Sequence, residues 1–431
     1  MRRSFTLITE AYGHLAEVTS VLLFAHSAQR EFCDSTGTMK AITNSTTNAS
    51  DKIENRSPGE NLDQRVKPRK TSISRRSFLG KSLAVGAGTI GAGLLPNIRT
   101  ARASGDLTIG DAALLRFPAA LEILEADFWI QYNELAGVQD AEVPGGSGND
   151  AYTEALAMLD EDMAIYVHDN TDDEISHLQF LNAYLVSKGA APAQLDQFRT
   201  LMGSTATGVN RNLIGKRLTN LTQLTLDTSW WTRYRATFHN PDLDQNHVYP
   251  QAVPSLAVHQ HTAIPRTDAD TMDANFLQAV ANTAAFHFPT IEQGGNSLYP
   301  ALAQRATDHE VLRILISIGP TETMHFQTWS DKAGNAPALT AVDPVTGVSV
   351  TFPDLDVPNQ LLKKNLIMPE PCPFLSSNLP RCSIIRPTNT QRVAMKTLEF
   401  LTNMGLFIGQ SAAFFAYMTQ LAQEADAARR Q

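Results

Sequence analysis

The chain has 431 residues, of which 43% are hydrophobic and 18% are charged, an ordinary balance for a globular protein. Its charge is unevenly placed: residues 1–103 hold 15 Lys and Arg and 8 Asp and Glu, whereas the remaining 328 residues hold 20 Lys and Arg and 36 Asp and Glu. So acidic a body argues against a nucleic-acid partner, because phosphates would be repelled, and it favours solubility and the attraction of cations.

The N-terminal region contains a sequence typical of an export signal. Two arginines at 75–76 precede a charge-free, Gly- and Ala-rich stretch at 82–95, and an Ala-x-Ala end follows at Ala103. This order matches a twin-arginine signal, and its apolar stretch is shorter than the ~20 residues of a membrane-spanning helix. We predict a disordered leader and signal at 1–103, cleavage after Ala103, and a periplasmic or extracellular mature protein without a stable membrane span. An uncleaved anchor is the alternative, and Met39 is an alternative start.

Four stretches of the mature chain have apolar residues at helical spacing, namely 107–136, 152–188, 272–303 and 308–332. Gly189 ends the second stretch, and residues 190–270 are irregular, which predicts a long insertion. Prolines are predicted to interrupt the third and fourth of these stretches. Four prolines lie near the glutamates and histidines described below, and they predict either kinks that suit a site or a geometry that has drifted from regular helix: Pro118, Pro289, Pro300 and Pro320. The pattern predicts an all-α domain, a four-helix bundle at 104–333.

Residues 334–431 form the C-terminal region. Its first half is rich in Pro and has a β-like run at 348–352, which predicts a loop or a small hairpin. Residues 388–430 predict one long extra helix without the spacing of metal ligands. Cys372 and Cys382 could form a disulfide in an oxidising compartment, or they could be two unrelated thiols.

Two of the four predicted helices carry Glu-x-x-His. Glu174 and His177 lie in the second helix, and Glu322 and His325 lie in the fourth. Since positions i and i+3 share a helix face, a carboxylate and an imidazole can approach one ion from a single helix. A single match carries little information, and each histidine alone would more often be a hydrogen-bonded core residue. Two matches on separate helices favour a metal site.

The other two predicted helices each carry a glutamate and, seven residues later, an aromatic residue: Glu122 with Trp129, and Glu292 with Tyr299. The order of Glu followed by Glu-x-x-His thus occurs twice, as in a diverged internal duplication. Four carboxylates in a bundle core would cost free energy if unpaired, and two divalent cations would neutralise them. Glu125, one turn from Glu122, is an alternative ligand.

This pattern resembles the ferritin-like superfamily, which includes bacterioferritins, rubrerythrins, manganese catalases and a bacterial and plant desiccation-related group. The segments LEILEADFW, DEISHLQFL and IEQGGNSLY are most similar to the desiccation-related group, whose bacterial members often carry twin-arginine signals. The resemblance covers roughly 107–190 and 272–332. It implies two Fe or two Mn ions held by Glu122, Glu174, His177, Glu292, Glu322 and His325. It also implies that Glu174 and Glu322 bridge the ions, and that Trp129 and Tyr299 lie beside the ligands.

Two functions agree with this resemblance. The first is a redox metalloprotein, an oxidase or a catalase-like enzyme, whose partners are the metal ions and oxygen or peroxide. The alternative is a non-catalytic stress or desiccation-related structural protein that keeps the bundle. Iron storage is disfavoured, because the insertion and the C-terminal region would obstruct a shell. The sequence leaves open the choice between iron and manganese, the substrate, and whether the protein is a homo-oligomer.

Overall fold

The structure is a computed structural model, and it describes residues 107–143, 145–234, 247–355, 369–370, 376, 378–380, 382–383 and 390–430. The predicted leader and signal at 1–103 lie outside these residues, as does Cys372, so export and the disulfide stay predictions. Within the described ranges, no helix has both the length and the apolar composition needed to cross a membrane.

Helices dominate the described chain. In chain order they are α1 (Ile109–Ala136), α2 (Asp150–Ala157), α3 (Met163–Ser187), α4 (Trp230–Arg233), α5 (Ala274–Ala303), α6 (His309–Ala333), α7 (Val393–Asn403) and α8 (Ala412–Ala427). Two small antiparallel pairs accompany them: β1 (Leu339–Val342) with β2 (Ser349–Phe352), and β3 (Pro369–Glu370) with β4 (Cys382–Ser383). The predicted all-α class is confirmed, and the β-like run becomes the second strand of a hairpin.

The bundle consists of two antiparallel helix pairs, α1 with α3 and α5 with α6. Polar side chains begin three of these helices: Thr108, Asp273 and Asp308 each accept a hydrogen bond from a backbone N–H of the first turn. Helix α1 is buried along 23 of its 28 residues. A helix covered on all sides must lie inside the molecule, and α8 and the insertion cover the side of α1 that faces away from the bundle.

The predicted interruptions of α5 and α6 at proline are wrong. Helix α1 continues through Pro118, α5 through Pro289 and Pro300, and α6 through Pro320. A proline inside a helix removes one backbone hydrogen bond and costs about 3 kcal/mol. These helices have 25 to 30 residues and bury most of one face, so tertiary packing outweighs that local cost.

Two other boundaries differ from the prediction. The second predicted helix is divided into α2 and α3 by residues 158–162. The single C-terminal helix predicted at 388–430 is instead the helix pair α7 and α8. Gly405 and Gly409 both have φ of 93°, a left-handed conformation that ends α7 and turns the chain before α8.

The insertion packs on α1 through buried polar contacts. Asp127 accepts hydrogen bonds from the backbone N–H groups of Leu218 (2.9 Å) and Thr219 (3.0 Å). Arg217 forms an ion pair with Glu134, and both side chains are at most 2% exposed. Apart from α4, the described part of the insertion has short 3-10 turns, two isolated β-bridges and irregular chain, so these side chains supply ordering that regular secondary structure does not.

Candidate metal centre

The six predicted ligands come together in the middle of the bundle. Each of the four long helices contributes one glutamate, and α3 and α6 add a histidine each; the residues are Glu122, Glu174, His177, Glu292, Glu322 and His325. All four carboxylates are at most 2% exposed. The Glu-x-x-His spacing places each histidine beside the glutamate of its own helix, as the shared face requires.

The six residues form two overlapping groups of four. Glu122, Glu174, His177 and Glu322 make one group, and Glu174, Glu292, Glu322 and His325 make the other. Within each group, one ligand atom from every residue lies within 4.8 Å of the others. Glu174 and Glu322 belong to both groups, so they occupy the positions at which the resemblance places bridging carboxylates.

Each histidine faces carboxylates from several helices through its Nδ1 atom. His177 Nδ1 lies 3.1 Å from Glu174 Oε2, 3.4 Å from Glu122 Oε2 and 3.5 Å from Glu322 Oε1. His325 Nδ1 lies 3.2 Å from Glu174 Oε1 and 3.4 Å from Glu292 Oε2. The two rings are 6.5 Å apart, which leaves one imidazole at each end of the carboxylate cluster.

The donor atoms at this centre suit divalent metal. Among the described residues, several of its buried ligand atoms have no hydrogen-bond partner: Glu122 Oε2, Glu292 Oε2, both carboxylate oxygens of Glu322 and His325 Nδ1. Buried carboxylate oxygens that accept no hydrogen bond are costly, and bound cations reduce that cost. Carboxylate oxygen and imidazole nitrogen are ligands that iron and manganese accept. The residues present therefore fit a metal centre, although their binding of metal stays a prediction.

Comparison with known proteins agrees with this geometry. The family model of the ferritin-like domain matches residues 110–334, just over half of the chain. The chain belongs to the ferritin-like domain family. No curated protein and no solved structure matched it. The match spans all four bundle helices and the insertion, so the six clustered residues all lie inside the ferritin-like domain, whereas α7 and α8 lie outside it.

Burial and neighbouring charge shift the acid–base behaviour of the ferritin-like centre in opposite directions. Burial, together with the charge of Glu174, raises the pKa of Glu122 to about 7, although His177 offsets part of this rise. Burial also acts to raise the pKa of Glu174, but contacts with His177 and His325 outweigh it and hold that pKa well below the usual range. For His177, burial alone would lower the pKa, and the carboxylates of Glu122 and Glu174 raise it to about 12. Metal binding would displace these protons.

Three further side chains support the carboxylates of the ferritin-like centre. The Tyr299 hydroxyl donates a hydrogen bond to Glu122 Oε1. Asn170 Nδ2 donates to Glu174 Oε1 (2.9 Å) and to Glu292 Oε1 (3.2 Å), and Trp329 Nε1 donates to Asn170 Oδ1 (2.6 Å). Tyr299 thus lies beside a ligand as the resemblance implies.

Trp129 lies one layer farther out, stacked on Trp329 at 5.3 Å. Sequence reasoning missed Asn170, although its place four residues before Glu174 on α3 puts it on the same helix face and could have identified it.

The geometry also separates Glu122 from the alternative ligand Glu125. Glu122 supplies an atom to one of the two groups, whereas Glu125 supplies none to either. Glu125 nevertheless lies close enough to be affected, because burial and the charges of Glu174 and Glu122 raise its pKa well above the usual range. We therefore keep Glu122 as the predicted ligand and place Glu125 beside the centre.

Proposed function

We propose that this protein is an exported ferritin-like metalloprotein whose bundle holds two iron or two manganese ions and performs redox chemistry on oxygen or peroxide. The observation that carries the proposal is the pair of overlapping ligand groups, which share the carboxylates of Glu174 and Glu322. Two groups with two shared members suit two adjacent ions better than one, because a single ion would leave part of the buried carboxylate charge unmatched.

Each residue has a distinct part in this proposal. Glu174 and Glu322 would lie between the ions, with His177 and Glu122 on one side and His325 and Glu292 on the other. Bound redox-active ions would supply electron transfer to or from oxygen or peroxide. Tyr299 holds a proton at Glu122 Oε1, and the burial of the carboxylates excludes bulk water. Asn170 donates to one carboxylate of α3 and one of α5 and so fixes their orientation.

Export, and membership of the desiccation-related group that the sequence resembles, are part of the same proposal. The arginine pair at 75–76, the short apolar stretch and the Ala-x-Ala end support transport by the twin-arginine route. That route carries folded proteins, which suits a centre that is loaded with metal before export. The rival proposal is a stress-related structural protein that keeps the bundle without turnover.

Metal analysis of protein purified from its native compartment would test the proposal. We expect about two Fe or Mn ions per chain, and a melting temperature that falls on chelation, because metal binds the folded state only. Glu174→Ala and Glu322→Ala should lose the metal, whereas Glu154→Ala, on the exposed side of α2, should keep it. Oxygen-consumption and peroxide-disproportionation assays would then separate the two redox activities.

Two results would contradict the proposal. The first is metal content at background together with a melting temperature that chelation does not change, which would favour the structural alternative. The second is metal content that is the same in Glu174→Ala and in the Glu154→Ala control. If the alanine variants misfold, Glu174→Gln keeps the size of the side chain while removing its charge, and circular dichroism would verify its helix content.

A further inference from the structure

An open pocket lies between α3 and α6, next to the metal centre. Its volume is about 340 Å³, and its lining residues are Tyr166, Asp169, Asn170, Asp172, Asp173, Met324, His325, Thr328 and Trp329. At about 30 Å³ per water molecule, this space holds about ten waters. A divalent cation with its six first-shell waters would therefore fit inside. We call it the aspartate pocket.

The aspartate pocket carries an excess of negative charge. Its lining includes three aspartates, Asp169, Asp172 and Asp173, and neither Lys nor Arg, and its one histidine, His325, is paired with Asp173. Beyond the rim, Asp140 adds a further carboxylate 3.3 Å from His168, and Lys332, which lies 4.9 Å from the Tyr166 ring centroid, forms an ion pair with Asp160. A concave site with an excess of charge of one sign focuses the field and concentrates counter-ions. The pocket therefore attracts cations from solution.

The inner end of the pocket consists of two buried side chains that also contact the ligands. His325 is 94% buried, and its ring spans the wall: Nε2 lies 3.0 Å from Asp173 Oδ2, and Nδ1, which has no hydrogen-bond partner among the described residues, faces Glu174 and Glu292. Asn170 bonds the same two glutamates from the same wall. A single layer of side chains thus separates the pocket from the centre.

The opposite side of the centre offers much less space. A narrow void of about 20 Å³ lies beside Glu122 and Tyr299, between α1, α5 and α7. Its lining is largely apolar, and Phe400 and Leu401 of α7 close it from outside. This volume suits about one water molecule, which is too small for a hydrated cation.

We propose that the aspartate pocket is the route by which divalent cations reach the metal centre, with Asp173 binding the ion before His325 and the glutamates receive it. This inference rests on the proposed function, because it presumes that the six residues bind metal. In this scheme Asp169 and Asp172 act at a distance by attraction, whereas Asp173 acts by contact.

The rate of Co²⁺ uptake by metal-free, full-length protein would test this route. Co²⁺ bound by carboxylate and imidazole ligands absorbs visible light far more strongly than the aqueous ion, so stopped-flow absorbance follows uptake without any assay of activity. The variants to compare are Asp169→Asn/Asp172→Asn, Asp173→Asn and a charge-matched control, Asp150→Asn/Glu154→Gln. Both control residues are exposed on α2 and lie outside the pocket lining.

Long-range attraction by Asp169 and Asp172 and direct binding by Asp173 predict different dependences of the Co²⁺ uptake rate on salt. At low ionic strength, Asp169→Asn/Asp172→Asn should take up Co²⁺ about tenfold more slowly than the control, within the range that field focusing gives. Near 1 M salt the Debye length is about 3 Å, so this difference should vanish. Asp173→Asn should stay slow at both ionic strengths. Asp169→Asn/Asp172→Asn and the control should reach the wild-type amplitude, because neither pair contacts a predicted ligand in this scheme.

The outcomes separate this inference from the proposed function. Equal uptake rates for the pocket variants and the control at low salt, with full final amplitudes, would overturn the route and leave the metal centre intact. A wild-type protein that binds no Co²⁺, Fe or Mn at all would overturn both. Slow uptake by Asp169→Asn/Asp172→Asn that persists at high salt would also contradict the route, since it would indicate a change in structure rather than in attraction.

Discussion

Gly295 lies three residues beyond Glu292 on α5, where the side chains of the candidate metal centre limit the space. A Cβ atom at this position would stand 2.6 Å from Oε2 of Glu322, closer than real Cβ contacts come, and 3.1 Å from its Cγ, which is also tight. Glu322 belongs to both ligand groups, so displacing it would disturb both. The neighbouring Gly294 has no atom within 4 Å of its would-be Cβ. The two adjacent glycines therefore differ in what they contribute.

Gly295→Ala should weaken metal binding, and Gly294→Ala should not. We expect the first variant to lose most of its bound Fe or Mn, because its methyl group pushes the Glu322 carboxylate away. The second should keep its metal and gain about 1 kcal/mol in the free energy of unfolding, since alanine is the better helix former. Metal content and denaturant melts measure both effects. Equal metal content in the two variants would contradict the argument.

Tyr299→Phe tests the support of a single ligand. Loss of the hydroxyl leaves Glu122 Oε1 buried without its donor, and we expect the metal-free protein to lose about 1–3 kcal/mol of stability. Tyr184→Phe is the matched control, because its hydroxyl donates to the exposed Glu310, which keeps its ion pair with Lys188. That variant should change stability by about 0.5 kcal/mol or less. Urea melts with chelator present measure the free energy of unfolding of both variants. Equal losses would contradict the idea that Tyr299 stabilises the Glu122 carboxylate.

At the scale of single residues, the sequence was enough to predict the candidate ligands, but it was not enough to predict all of the residues that contact them. Glu174 and His177 share a helix face, and that spacing is visible in the chain without any tertiary information. The contact of Asp173 with His325 depends on how α3 and α6 pack, since Asp173 points to a different side of α3 from its neighbour Glu174. Contacts between helices of this kind have no local sequence signature.

At the scale of whole elements, the prolines of α5 and α6 led to a wrong prediction of interrupted helices. A local propensity treats each proline as a break, whereas α5 contains both Pro289 and Pro300 and still runs for 30 residues. Its packing against α6, with Gly319 directly facing Tyr299, is a property of the pair and not of either sequence. Gly405 and Gly409 mark the division of the C-terminal region, but the apolar periodicity around them favoured the prediction of a single helix.

Helix α5 also carries a buried histidine outside the metal centre. His287 Nδ1 lies 2.9 Å from the Tyr132 hydroxyl of α1, and the edge of its ring packs against Phe128 at 5.4 Å. Burial lowers the pKa of His287 to about 3. In the unfolded chain the same group would titrate near 6.5. Between these values the unfolded state binds one more proton than the native state, so acid favours unfolding.

We therefore expect His287 to make stability fall as pH falls from about 6.5 towards 3, by up to about 1.4 kcal/mol per pH unit. His287→Asn keeps an acceptor for Tyr132 but cannot be protonated, so its stability should fall less steeply over this range. Denaturant melts from pH 7 to pH 4 with chelator present measure the slopes. His309→Asn, at an exposed position on α6, should keep the wild-type slope. Parallel curves for wild type and His287→Asn would contradict the prediction.

At the scale of the whole molecule, the bundle could be predicted from the sequence, but the packing of the insertion and the C-terminal helices on it could not. Four periodic helices with matching ligands identify a ferritin-like bundle whatever lies between them. The insertion has little periodicity, so its position depends on single polar side chains, such as Asp127 on α1, that bind its backbone. Those contacts join residues about 90 positions apart, and nothing in the local sequence announces them.

The ion pair between Arg217 and Glu134 is the most deeply buried charge contact between the insertion and α1. Both side chains are at most 2% exposed, so removing one partner leaves the other charged and unpaired in the core. Arg217→Met should therefore lower the free energy of unfolding by about 3–5 kcal/mol. Arg199→Met breaks a contact with Asp127 in which the arginine is 32% exposed, and it should cost less.

The double variant Arg217→Met/Glu134→Met separates pairing from packing. Because two methionines of similar volume leave no unpaired charge, it should be more stable than Arg217→Met alone and should approach the wild type. Urea melts of the four proteins of this cycle give the coupling energy. If the two single losses simply add in the double variant, the ion pair does not hold the insertion on α1, and the hydrogen bonds to Asp127 must do so instead.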